Sequence, residues 1–108
     1  MSSVPKKIDF MKLALGLDDR EEQTVSTIED LNVYVTSYHG EYPAHKHPKA
    51  EFFFILDGEL ELEFNGQPVV LRKGEGVKVP QGTVHKPYAK SRALVMKIEP
   101  VEFPFVKV

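Results

Sequence analysis

Glu59-Leu60-Glu61-Leu62-Glu63-Phe64 alternates acidic and apolar residues without a break, and Asn65-Gly66 follows it directly. A period of two puts Leu60, Leu62 and Phe64 on one face and the glutamates on the other, so the stretch reads as a strand with one dry and one wet side. Asn-Gly tolerates positive φ at both central positions and closes a two-residue hairpin. The chain therefore returns through Val69 to Leu71 and is committed to antiparallel sheet. The remainder agrees. Thr24 to Glu29 and Leu31 to Tyr38 are rich in β-branched and aromatic residues around a Glu29-Asp30 turn, and Glu51 to Leu56, Val77 to Val79 and Ala93 to Glu99 read as further strands. With about eight short strands, frequent turn signals and no long amphipathic helix, the architecture is an all-β barrel or jelly roll.

The 108 residues suffice for a single domain and one core. We divide them into an N-terminal arm and charged loop, 1–23, and a barrel, 24–108. For residues 6–15 the periodicity does not choose between a short helix and an edge strand. The preferred reading is an extended arm packed on the barrel or on a second subunit. A formal charge of -2 gives no basic footprint for nucleic acid. There is no cysteine, which removes disulfides, thiolate metal sites and thiol catalysis. No run approaches the roughly 18 apolar residues of a membrane span, and no apolar segment follows the N-terminal lysines, so a cytoplasmic protein is expected.

The chemistry is concentrated between Gly40 and Gly58. In extended backbone His45 and His47 project from one face while Lys46 turns away. Pro48-Lys49-Ala50 then makes a turn or bulge, and Glu51 opens the next strand with its carboxylate returning to the histidine side. Two imidazoles and a carboxylate suit Mn(II), Fe(II), Zn(II), Ni(II) or Co(II). His85, entering a strand just after the Pro80-Gln81-Gly82 turn, is a fourth candidate. His39 lies outside this pattern and reads as a partly exposed loop histidine.

Gly40, His45-x-His47, Glu51 and Gly58, then after fifteen intervening residues Gly74, Pro80, Gly82 and His85, resemble the two signature motifs of the cupin superfamily. The similarity spans residues 40–89. It departs from the family pattern in having four residues, where five are usual, between Gly40 and His45, and Ala89 where Asn is common. The resemblance implies a double-stranded β-helix, the cupin barrel, in a small single-domain protein. His45, His47, Glu51 and His85 then stand as ligands of one divalent transition metal per chain.

Three imidazoles and a carboxylate leave two positions of an octahedral ion open. The expected function is a divalent-metal-dependent enzyme acting on a small oxygen-chelating metabolite, of dioxygenase, isomerase or lyase class. The alternative is a non-catalytic metal- or ligand-binding module. Parity places Phe53 and Ile55 on the Glu51 side, and Leu94, Met96 and Ile98 are assigned inward with Lys97 and Glu99 in water. Phe53, Ile55 and Met96 thus become the expected wall of an apolar substrate pocket, with no arginine on that face. Phe52 to Leu56 is apolar on both faces and Val101 to Val108 carries further apolar residues. Both want cover, which predicts a homodimer.

Overall fold

The computed structural model describes residues 4–102 and 106–107. Its spine is β8 (Lys86–Pro100), long enough to serve three neighbours. β2 (Leu31–Glu41) runs antiparallel along nearly all of it, from Leu31↔Pro100 to Glu41↔Tyr88. The far edge of β8 is shared. β4 (Glu51–Asp57) takes its C-terminal half, with Phe53 opposite Lys97, and β5 (Glu59–Phe64) takes its N-terminal half, with Glu61 opposite Tyr88. β1 (Glu22–Ile28) and β7 (Gly76–Val79) extend the sheet beyond β2 and β4, β6 (Gln67–Arg72) pairs with β5, and β3 (His45–Lys46) pairs with β9 (Val106–Lys107).

The hairpin read from the alternating stretch is present: Glu59 faces Arg72, and Asn65 and Gly66 take φ of 50° and 80°. Leu60 and Leu62 are fully buried, in one core with Tyr38, Phe53, Ile55, Leu71, Val79 and Val95. The turn into β5 needs glycine. Gly58 has φ +83°, and a Cβ there would come within 2.7 Å of the Arg92 carbonyl oxygen. β5 lies between two strands, so its glutamates cover a solvated sheet face and do not guard an edge.

Residues 10–15 form a helix, α1 (Phe10–Leu15), where an extended arm was expected. Asp9 caps it by accepting from the Lys12 amide at 3.0 Å. Tertiary cover decides the conformation: Ala14 and Leu17 pack with Val35 and Leu94 on the outer face of β2 and β8. The Arg92 guanidinium pins the C-terminal end by donating to the Ala14 and Leu17 carbonyls, while its Nε donates to Ser37 Oγ. Among the described helices none is long and apolar enough to cross a membrane.

The assignment of β8 faces is reversed. Lys97, 8% exposed, and Glu99, 7% exposed, point into the barrel, whereas Leu94, Met96 and Ile98 lie on the outer face. Phe53 faces inward and pairs with Lys97, and Ile55 pairs with Val95. The apolar alternates join Val33, Val35, Phe52 and Phe54 on an outside that α1 partly covers. The buried charges are tolerated because they compensate one another: Lys97 Nζ lies 2.7 Å from Glu22 Oε1 and 3.5 Å from Glu99 Oε2.

Candidate metal centre

Hydrogen bonds between main-chain segments bring the imidazoles together. His45 and His85 form an isolated antiparallel bridge, each amide donating to the other's carbonyl at 3.0 and 2.9 Å, and their ring centroids lie 4.2 Å apart. The Gly82 amide donates to the His47 carbonyl at 2.7 Å, so the Pro80-Gln81-Gly82 turn is docked on the first ligand segment. Glu51 begins β4 opposite Val79, at the end of the strand that precedes this turn. The donor atoms of His45, His47, Glu51 and His85 all lie within 4.8 Å of one another.

Two tautomers follow from the hydrogen bonds. Nδ1 of His45 lies 3.0 Å from the Pro43 carbonyl oxygen, and Nδ1 of His85 lies 2.9 Å from that of Thr83. A carbonyl oxygen only accepts, so each Nδ1 carries the proton, and in the neutral ring each Nε2 presents a lone pair. His85 Nε2 then faces Glu51 Oε1 at 2.9 Å, and both atoms are buried without a hydrogen-bond partner among the described residues. Two lone pairs at that distance repel unless a proton or a cation lies between them. With metal–ligand bonds of about 2.1 Å, ligand atoms of an octahedral ion stand about 3 Å apart when adjacent and about 4.2 Å apart when opposite. The 2.9 Å of His85–Glu51 fits the adjacent spacing, and the 3.6 Å of His47–Glu51 falls between the two. The four side chains therefore fit a divalent ion.

The electrostatics favour the same occupant. Burial pushes the Glu51 carboxyl up, but the adjoining His85 ring, hydrogen bonding from Glu99 and the charge of Lys97 outweigh it and hold the group below the usual carboxylate range. His45 is lowered, chiefly by burial, with the Pro43 carbonyl opposing and the neighbouring imidazoles adding. Both shifts keep ligands in their metal-binding forms.

Above the cluster opens a cavity of about 350 Å³ whose wall includes Arg20, Tyr38, Tyr42, Phe53, Lys97 and Glu99. Phe53 is where the sequence suggests. Ile55 lies in the apolar core, and Met96 is outside the barrel, so neither forms the wall assigned to it. Nor is the wall apolar or free of arginine: Arg20 stacks on Tyr42, 3.9 Å from the ring centroid, and donates to the His39 and Glu41 carbonyls. Burial raises Glu99 to about 8 against the pull of Lys97, and the adjoining Glu51 adds to the rise. Burial also pushes the Tyr38 phenol up, partly opposed by Lys97. Lys97 is disfavoured as a cation by burial, yet Tyr38, Glu99 and Glu22 raise it overall. Strand parity could have found Lys97 and Glu99, had β8 been registered on Phe53. His39 is exposed and bound to Asp19 at 2.8 Å, away from this group.

Comparison with known proteins places this geometry in a class. Residues 33–99 match the cupin domain model. The chain belongs to the cupin family. It is 32% identical over 92 residues to the uncharacterised protein YdbB of Bacillus subtilis, covering 81% of each. A cupin-2 domain protein from Shewanella frigidimarina superposes with a TM-score of 0.81 at 30% identity, over 86% of this chain and 93% of that one. Hydroquinone 1,2-dioxygenase PnpCD, solved with Cd2+ and 4-hydroxybenzonitrile, shares the fold alone. Its TM-score is 0.73 at 14% identity, over 100% of this chain and 81% of that one.

Proposed function

We propose that the protein is a divalent-metal-dependent enzyme acting on a small metabolite that chelates the metal through its own oxygens, in the dioxygenase, isomerase or lyase class. The observation that carries this reading is the buried pair of facing acceptors, Glu51 Oε1 and His85 Nε2, within a cluster completed by His45 and His47. When bound, a divalent ion supplies a Lewis acid with positions open to oxygen ligands. The chain's own residues do the rest. His45, His47, Glu51 and His85 would hold the ion, three of them lining the cavity, and Phe53 lines it beside them. Tyr38, Lys97 and Glu99 line the same cavity and can hold or move protons, which a passive binding module does not need. This feature favours catalysis over simple binding. We further propose one ion per chain, a homodimer and a cytoplasmic location.

Elemental analysis after chelation and reloading tests the metal centre, with about one ion per chain expected in the wild type. A His47→Ala plus Glu51→Ala variant that still took up a full equivalent would overturn the ligand assignment. Turnover of oxygen-chelating substrates by the reloaded protein, lost on chelation, distinguishes an enzyme from a binding module.

A further inference from the structure

We infer that the cavity recognises a small chelator bearing a second, distal carboxylate, with the chelating oxygens at the metal end and the carboxylate received by Lys97 and Tyr38. The inference rests on the metal centre proposed above.

Lys97 is an unusual group for a barrel interior. Buried ion pairs stabilise a fold little compared with apolar packing, so an ammonium at this position needs a reason beyond stability. It lines the cavity and approaches the rings of Tyr38 and Phe53, 5.4 and 5.9 Å from their centroids, and it interacts with the Tyr38 hydroxyl. Phe53 also meets His85, ring centroids 6.2 Å apart, so the same aromatic side chain borders both the ammonium and the metal end. That arrangement gives the cavity two poles.

The sign of the charge follows from the lining. With Glu99 protonated, Glu22 and Glu51 balance Lys97 and Arg20, and a divalent ion makes the lining positive. Ionisation of Glu99 would reduce that positive charge by one without changing its sign. A neutral ligand would leave it uncompensated beside the buried Lys97 ammonium. The present partners of Lys97 do not block the role. The Glu22 side chain is 41% exposed and can swing towards solvent, and Glu99 has a second contact in Glu51. Tyr38, a neutral phenol beside the ammonium, retains a hydrogen to donate. At about 350 Å³ the cavity stands at the small end of ligand pockets and suits a short dicarboxylate.

Glycolate and malate test this, since they share the 2-hydroxy acid chelating end and differ in the distal carboxylate. Binding of each to Mn(II)-reloaded protein is followed by water-proton relaxation, with metal content measured on the same samples. In the wild type malate should bind more tightly than glycolate. In Lys97→Met malate should weaken by about tenfold or more, as loss of a charge-assisted hydrogen bond implies, with glycolate changed less than about twofold. Tyr38→Phe, which removes one oxygen and keeps the packing, should weaken malate by about threefold. Full metal content with malate binding unchanged in both variants, or with neither acid bound, overturns the inference and leaves the metal centre standing. Absence of metal from the wild type overturns both.

Discussion

His85 Nε2 lies 2.9 Å from Glu51 Oε1, while the other nitrogen of the same ring donates to the Thr83 carbonyl. The imidazole thus spends its one proton on the backbone and turns a lone pair towards a carboxylate. Without a cation the contact is repulsive unless a further proton enters; a cation shared by the two atoms would relieve it. The main chain enforces the arrangement through the His45–His85 bridge, so the fold itself holds these side chains together.

Glu51→Gln separates the folding role of this contact from its binding role. The amide of glutamine can donate to His85 Nε2, so the metal-free variant should melt at the same temperature as metal-free wild type or slightly above it. Its metal affinity should fall by about a hundredfold, because a neutral amide replaces the anionic ligand. Calorimetric melting with and without added Mn(II) checks both. A large metal-induced rise in melting temperature retained in the variant would remove Glu51 from the ligand set.

Acid should release the metal. The ligand imidazoles bind only when neutral, and burial lowers His45 below its ordinary value, so it stays neutral somewhat into the acid range. Metal content should decline as pH falls through about 6 and be lost near pH 4, as dialysis at stepped pH followed by elemental analysis will show. Full retention at pH 4 would require ligands other than histidine.

What the sequence disclosed and what it hid have physical causes. The place of His85 beside the other three followed from the resemblance to the cupin motifs, whereas His45, His47 and Glu51 are separated by turn residues whose preferences are local, so their shared side was legible from spacing. The hairpin at Asn65-Gly66 was legible for the same reason. The orientation of β8 was not. Leu94, Met96 and Ile98 alternate with charged or β-branched neighbours, and alternation alone cannot say which face is the interior when the outside is also partly covered. The register with β4, Phe53 against Lys97, decides it and is a long-range fact. Helix α1 was hidden likewise, since six residues owe their helicity to packing on Val35 and Leu94 and to the grip of Arg92.

Glu99 should give the metal-free protein an inverted pH profile. Its folded-state value, raised from 4.5 to about 8 by burial and then by Glu51, exceeds the unfolded one, so the native state binds the extra proton between those limits. Its contribution to stability is therefore complete below about 4.5 and lost as pH rises through about 8. His45 works in the opposite sense but has finished by its unfolded value of 6.5. Metal-free wild type should consequently melt several degrees lower at pH 9 than at pH 7, and Glu99→Gln should flatten that slope. Equal slopes in the two proteins would show that Glu99 is ionised in the fold throughout.

The outer face of the sheet supplies the last expectation. Phe52, Phe54, Met96 and Ile98 share it by register, and α1 covers only the neighbouring Val35 and Leu94 region. Phe52 is 36% exposed and Leu31 39%, with Ile28 and Val101 more exposed still. A sheet face of this composition in water is a candidate interface. Residues 103–105 and 108 and the side chains of 106 and 107, also invoked for dimerisation, lie outside the described residues, so the expectation rests on the sheet. A homodimer formed through this face would bury Phe52 on both copies, and sedimentation at micromolar concentration should give twice the chain mass. Phe52→Glu places a charge at the centre of that contact, where desolvation without a partner is costly, and should yield monomers. The side chain points away from the barrel, so metal content should be unchanged. A wild type that sediments as a monomer, or a Phe52→Glu variant that remains dimeric, would exclude this face as the interface.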